Sequence, residues 1–279
     1  MTTIKMQLET ACDILAHHSM SARLDAEVLL AFVLGKNRSY LRAWDDKKLE
    51  VKSLKLFAEL VDKRREGVPI AYLTGQREFW SREFKVAPAV LIPRPETELL
   101  VELCLESLSC SQKYTVLDLG TGSGAIAITL AAERPLIEMT AIDKSLDALE
   151  IAKDNAVRHN CQHIDFVFSD WLSALSSDLT FDFILSNPPY IAQDDVHLSQ
   201  GDVRFEPISA LVATDNGLGD IKRIANDAKK HLRPGGQLWF EHGYNQAQEI
   251  QAILNALNYN NIKTHFDLSG QPRVTMGFI

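Results

Sequence analysis

Asn187-Pro188-Pro189-Tyr190 combines reactive side chains with an unusually stiff backbone. Two prolines remove two backbone donors and fix the path. Asn187 and Pro188 each precede a proline, which pushes both toward extended conformations. The run follows Phe181-Asp182-Phe183-Ile184-Leu185, an apolar stretch with the pattern of a buried strand. A rigid corner at a strand's carboxyl end is therefore predicted, displaying an amide, carbonyl oxygens and an aromatic ring. Such an acceptor-rich corner suits the holding of a planar NH2 group.

A second set of residues points to the ligand beside that corner. Gly120-Thr121-Gly122-Ser123-Gly124 follows the apolar run Thr115-Val116-Leu117-Asp118-Leu119 and precedes a helical stretch from Ala125 to Ala132. Glycine there lets the backbone approach a ligand closely, and a helix N-terminus adds free N–H groups. Asp143 lies 19 residues after Gly124, at the end of the next predicted strand, where an acidic residue binds ribose hydroxyls in nucleotide-type sites. Together these features predict an adenosine-containing ligand. The glycine spacing is not G-x-G-x-x-G, which disfavours a pyrophosphate cradle and a nicotinamide-dependent oxidoreductase. Ser169-Asp170-Trp171, after the third strand, can border the adenine, though Trp171 reads equally as a core aromatic.

These groups require a framework, and the chain supplies one in two styles. Residues before about 70 read as helices: Leu8, Ala11, Ile14 and Leu15 share a face. So do Leu24, Val28, Leu29 and Phe32, between a capping Ser21 and a stopping Gly35, and then Leu54, Phe57, Leu60 and Val61. Short β-like pieces follow at Ala71-Tyr72-Leu73, Glu78-Phe79-Trp80 and Phe84-Lys85-Val86. From Tyr114 onward strands alternate with helices, which predicts a mostly parallel sheet covered on both faces. Two closing strands, Ile262–Phe266 and Arg273–Phe278, have no helix between them and read as an antiparallel edge pair.

Composition narrows the class. The formal net charge of −8 is uneven: residues 1–100 carry 16 Lys and Arg against 14 Asp and Glu, the rest 13 against 23. An acidic larger part argues against direct nucleic-acid binding, which Lys and Arg drive. Lys63-Arg64-Arg65 reads mainly as a solvated helix face, with a macromolecular partner as the other reading. Cys12, Cys104, Cys110 and Cys161 form no C-x-x-C pair, and the eight histidines form no H-E-x-x-H, so no metal site is expected. With no signal peptide and no long apolar run, a cytoplasmic protein away from membranes is expected.

Asp118-Leu119-Gly120-Thr121-Gly122-Ser123-Gly124 resembles the first motif of S-adenosylmethionine-dependent methyltransferases. The Asn-Pro-Pro-Tyr corner is similar to that of enzymes methylating adenine N6, cytosine N4 or glutamine amides. Ala71-Tyr72-Leu73-Thr74-Gly75, Glu78-Phe79-Trp80, Val90-Leu91-Ile92-Pro93-Arg94-Pro95-Glu96-Thr97-Glu98 and Gly201-Asp202-Val203-Arg204-Phe205-Glu206-Pro207 together resemble the release-factor glutamine methyltransferase family.

The resemblance covers nearly the whole chain. It implies an α/β enzyme with a Rossmann-like, seven-stranded class I methyltransferase domain and a small helical N-terminal domain joined by a β-hairpin. The boundaries expected are 1–74 for the helical docking domain, 75–110 for the hairpin connector and linking helix, and 111–279 for the methyltransferase domain. The implied reaction methylates the side-chain amide of the glutamine in the Gly-Gly-Gln motif of class-1 peptide chain release factors, without metal. S-adenosylmethionine would lie on Gly120, Thr121, Gly122, Ser123 and Gly124, with Asp143 at its ribose, Trp171 at its adenine and Asn187 beside it. Asn187 and Pro188 would accept the two amide N–H bonds, and Pro189 and Tyr190 would complete the substrate contact. Arg94, Glu96 and Thr97 shape the pocket or serve helix entry and an ion pair; the residues leave both open. A monomer meeting the release factor is expected. Methylation of a ribosomal-protein glutamine or of DNA adenine N6 is the alternative enzymatic reading, and a non-catalytic adenosyl-ligand sensor is the alternative of another class.

Overall fold

The computed structural model describes residues 2–279. They divide into two compact units: the chain up to Gln76 together with Val196–Phe205, and Arg77–Asp195 together with Glu206–Ile279.

The first unit contains α1 (Ile4–Leu15), α2 (Ala22–Leu34), α3 (Arg38–Ala43), α4 (Val51–Arg65) and α5 (Ile70–Thr74). Leu8, Leu15, Leu29, Leu30, Phe57 and Leu60 fill its core. The predicted apolar faces are partly displaced: Ile14, Leu24 and Phe32 are exposed. In α2 the buried face instead includes Asp25 and Glu27, because cations reach both. Arg64 Nε donates to Asp25 at 2.7 Å, and Glu27 meets Arg23 at 2.9 Å and Arg38 at 2.6 Å. Arg64 also donates to Asp202 at 2.9 Å, which fixes the 196–205 segment within this unit. The middle residue of the Lys63-Arg64-Arg65 run therefore points inward, while Lys63 and Arg65 are exposed. Ala71-Tyr72-Leu73 is helical rather than extended. Pro69 precedes α5 with φ −56°, so no N–H is lost where a helix start has no partner for it, and Gly75 closes the turn at φ +71°.

The second unit is built on β1 (Gln76–Phe79) paired with β2 (Arg82–Lys85), then α6 (Thr97–Ser107), β3 (Thr115–Leu119), α7 (Ala125–Glu133), β4 (Glu138–Asp143), α8 (Leu146–Arg158), β5 (Asp165–Phe168) and β6 (Phe181–Ser186). It closes with α9 (Gly219–Ala228), β7 (Leu232–Glu241), α10 (Ala247–Ala256), β8 (Asn260–Phe266) and β9 (Pro272–Phe278). The seven-stranded sheet has the order β5-β4-β3-β6-β7-β9-β8. Its first five strands run parallel, and β9 is antiparallel to both β7 and β8, as the missing helix between the last two strands predicted. Along β3 and β6 successive residues alternate between two apolar clusters: Val116, Phe183 and Leu185 join one, Leu117 and Ile184 the other. Helices thus cover both faces, and the strands read as continuous hydrophobic runs for that reason.

Strand β3 lies between β4 and β6, so the chain order reverses there. Such a reversal opens a crevice outside the strands' carboxyl ends. Leu119 and Ser186 stand side by side in the β3–β6 register, which brings the glycine loop and the Asn187 corner to the same place.

Candidate active site

A cavity of about 260 Å³ occupies this crevice, lined among others by Gly120, Gly122, Ser123, Asp143, Trp171 and Asn187. The glycine loop forms its floor. Gly120 and Thr121 donate their N–H groups to the Ile142 carbonyl at 2.9 and 2.8 Å, which ties the loop to the end of β4. Gly120 has φ +78°, and a Cβ there would lie 3.2 Å from the Trp171 ring. Gly122 also has positive φ, but a Cβ on it would meet nothing within 4 Å, so its backbone faces open space in the cavity. Gly124 differs. A Cβ on it would come within 2.7 Å of Ile128 and 3.3 Å of Ala152, so this glycine serves helix packing.

Two carboxyl groups organise the loop. Asp118 is fully buried; one oxygen accepts the Thr121 hydroxyl at 2.7 Å and the other has no partner. Burial pushes its pKa up to about 7, against the Thr121 hydrogen bond. Asp143 accepts Gly122 N–H on one oxygen and Ser145 N–H on the other, each at 2.9 Å. Burial raises its pKa, and those two backbone donors oppose the rise. Each oxygen keeps a second lone pair for a hydroxyl donor. Trp171 is 6% exposed and lines the cavity while donating Nε1–H to Asp220 at 3.0 Å. Trp171 is thus both a buried aromatic and part of the cavity wall.

The Asn187 corner forms the opposite wall. The Asn187 Nδ2 group donates to the Thr97 hydroxyl at 3.1 Å, and both residues line the cavity. Pro189 lines it as well. The next residues are pinned from behind: the Tyr190 carbonyl accepts Gln246 Nε2–H at 3.0 Å, and Ile191 exchanges backbone bonds with Leu211 and Ala213 at 2.9 and 3.0 Å. Burial raises the pKa of the Tyr190 phenol, so it stays neutral. Arg94 lines the cavity and pairs with Glu206, whose second oxygen accepts Ile92 N–H at 3.3 Å.

An adenosine-bearing ligand fits this construction, with an open glycine backbone, a carboxylate with spare lone pairs and apolar walls at Val90, Ile142 and Trp171. Comparison with known proteins agrees. The family model of the methyltransferase small domain matches residues 96–205, and that of the PrmC N-terminal domain matches residues 7–75. Release factor glutamine methyltransferase of Shewanella oneidensis is 49% identical, covering 94% of this chain and 91% of that protein. Its counterparts in Vibrio cholerae and Escherichia coli K12 are 49% and 45% identical, covering 99% and 93% of this chain and 96% and 93% of theirs. The chain belongs to the release factor glutamine methyltransferase family. Among solved structures, a methyltransferase from Pyrococcus furiosus shares the fold with a TM-score of 0.54 at 18% identity, over 72% of this chain and 90% of that one. A Thermus thermophilus 16S rRNA N2 G1207 methyltransferase in complex with AdoMet and guanosine does so at 0.54 and 21%, over 73% and 49%.

As a member of this family the chain is a methyltransferase, and its predicted site residues can be placed. Gly120, Thr121, Gly122, Ser123, Asp143, Trp171 and Asn187 share the cavity, with Pro189 at its wall. Gly124, Pro188 and Tyr190 are not among the residues that line it. Of the three residues left open, Thr97 and Arg94 line the cavity, whereas Glu96 is exposed at the entry to α6. Sequence reasoning gave no individual site role to Lys144 and Ser145, which follow Asp143, or to Ser209 and Ala210, which line the cavity together with Pro207, the last residue of the Gly201–Pro207 motif. The first two directly follow the aspartate that its place at a strand end singles out, and were within reach of that signal. Ser209 and Ala210 carry no local signature.

Proposed function

We propose that this protein methylates the side-chain amide nitrogen of the glutamine in the Gly-Gly-Gln motif of class-1 peptide chain release factors. The observation that carries this reading is the tethering of the Asn187 NH2 group to Thr97 at the cavity wall. With that edge of the amide occupied, Oδ1 lies on the other edge as an acceptor. It and the Pro188 carbonyl make an acceptor pair for one planar NH2 group. The identities of the curated relatives select a release-factor glutamine over a nucleobase or a ribosomal-protein glutamine.

S-adenosylmethionine, held by the glycine loop, Asp143 and Trp171, would supply an electrophilic methyl group. The protein's own contribution is orientation and charge. An amide nitrogen is a poor nucleophile because its lone pair is delocalised, so two acceptors that fix its plane supply most of what the reaction lacks. As nitrogen becomes positive, Asn187 Oδ1 and the Pro188 carbonyl, already in place, stabilise it without reorganising. Tyr190, held neutral by its burial, would pack on the planar amide of the substrate. The methylated nitrogen loses its proton readily, so no strong general base is required.

Purified protein incubated with methyl-labelled S-adenosylmethionine and a class-1 release factor is expected to label the Gly-Gly-Gln peptide, and not the same factor with Gln→Ala at that position. Label on a ribosomal protein or on DNA instead, with a competent control enzyme labelling the factor in parallel, would overturn the assignment.

A further inference from the structure

Glu241 is the last residue of β7, and the structure gives it an expensive position. It is 1% exposed, and its Oε2 has no hydrogen-bond partner among the described residues. A buried, partly unsatisfied carboxyl is costly to a fold, because its charge leaves water without full compensation. An apolar residue of similar volume would pack there at no such cost. Retention of the group points to a task.

The sheet register supplies the task. Ser186 pairs with Phe240 across the β6–β7 ladder, so Asn187 and Glu241 leave neighbouring strand ends together. The side chains of Thr97 and Asn187 both act on Glu241, lowering its pKa against the rise that burial imposes. Asn187 Nδ2 also donates to Thr97 Oγ1. With Glu241 ionised, the donors favour one arrangement. An amide NH2 group only donates, so the threonine oxygen accepts from it and has its single proton free to turn to the carboxylate. Rotating the Asn187 amide by half a turn would set Oδ1 against the carboxylate, oxygen facing oxygen, and strand the NH2 group at the cavity.

We propose that Glu241 and Thr97 act as a positioning pair that locks the orientation of the Asn187 amide, so that its oxygen faces the substrate. The inference rests on the reading above, in which that oxygen accepts an N–H bond from the substrate glutamine. Neither residue touches the reacting atoms through this bond network. Both act through Asn187.

The test combines kinetics on the release factor with nuclear magnetic resonance of the Asn187 side-chain amide, identified by its loss in Asn187→Ala. In Thr97→Val, which keeps shape, and in Glu241→Leu, kcat is expected to fall about tenfold or more while the cofactor dissociation constant changes less than about twofold, the pattern of an interaction made in the transition state. Thr97→Ser is expected to restore kcat to within about twofold of wild type, because the hydroxyl returns. The double variant should be little worse than either single one, since both break one lock. The Asn187 amide resonances should shift in both single variants. Unchanged kcat and resonances in Thr97→Val, or a Thr97→Ser variant as impaired as Thr97→Val, would overturn the proposal. Should Glu241→Leu fail to fold, the Thr97 pair decides alone. A wild-type protein inactive on class-1 factors would sink the substrate reading, and the resonance measurements would still judge the lock.

Discussion

Replacing Asn155 tests how the cofactor loop is held. Asn155 sits on α8, fully buried, between β2 and the glycine loop. Its Oδ1 accepts Lys85 N–H at 2.7 Å, and its Nδ2 donates to the Lys85 carbonyl at 3.0 Å and to the Ser123 carbonyl at 2.8 Å. Asn155→Ala removes three hydrogen bonds, each worth about 1 kcal/mol net, and leaves backbone groups unpaired at about 1–3 kcal/mol for each that water cannot reach. A loss of about 3–5 kcal/mol in unfolding free energy is therefore expected from urea denaturation. Because Ser123 lines the cavity, cofactor affinity should fall in the fraction that stays folded. Asn155→Asp sharpens the test, since it preserves size but sets a carboxylate against two carbonyl oxygens. It should destabilise at least as much as alanine. An aspartate variant close to wild type, or an alanine variant losing less than about 1 kcal/mol with unchanged cofactor affinity, would refute the reasoning.

Other outcomes follow from the same geometry. Asn187→Ala should lower kcat by about a hundredfold to a thousandfold, as loss of a preorganised transition-state acceptor does, with cofactor affinity nearly intact. Asp143→Ala should instead raise the cofactor dissociation constant by about tenfold to a hundredfold, the scale of a charge-assisted hydrogen bond; calorimetry separates the two. In the first unit, Arg64→Met leaves Asp25, whose side chain is 7% exposed, with only the Ser19 and Ser21 hydroxyls as donors, and should destabilise the protein by about 3 kcal/mol in chemical denaturation. The cofactor-free protein should also gain stability, about 1 kcal/mol, as pH falls from 8 to 6.5. Burial holds Asp118 and Glu241 near 7, so the native state takes up protons in that window that the unfolded chain, with carboxyls ionising near 4, does not. Below 6.5 the trend should flatten, because burial lowers the pKa of His242 and His265 and the unfolded state then gains the protons. A thermal midpoint that fell between pH 8 and 6.5 would contradict this.

What the sequence revealed was what short-range patterns carry. The alternation of strands and helices from Thr115 onward was legible because parallel strands buried on both faces are apolar runs, and Gly120–Gly124, Asp143 and Asn187 sit at their ends. The first unit was harder to read. Periodicity assumes that the buried face is apolar, yet α2 buries Asp25 and Glu27 through cations from elsewhere in the chain and exposes Leu24 and Phe32. Arg64 looked like part of a surface run because its partner Asp202 lies 138 residues away. Ala71-Tyr72-Leu73 was too short for its period to distinguish helix from strand. The role of Thr97 stayed open and Glu241 gave no signal, for a different reason. Each becomes meaningful only where α6, β6 and β7 bring it to Asn187, and no local pattern encodes that meeting.

The central claim is that the Asn187 corner presents a protein glutamine to a methyl donor. Mass spectrometry of a class-1 release factor after incubation with the protein and S-adenosylmethionine tests it most directly. The account predicts one methyl group on the side-chain amide of the Gly-Gly-Gln glutamine, absent with Asn187→Ala. An unmodified glutamine, or a methyl group on any other residue of the factor, would contradict it.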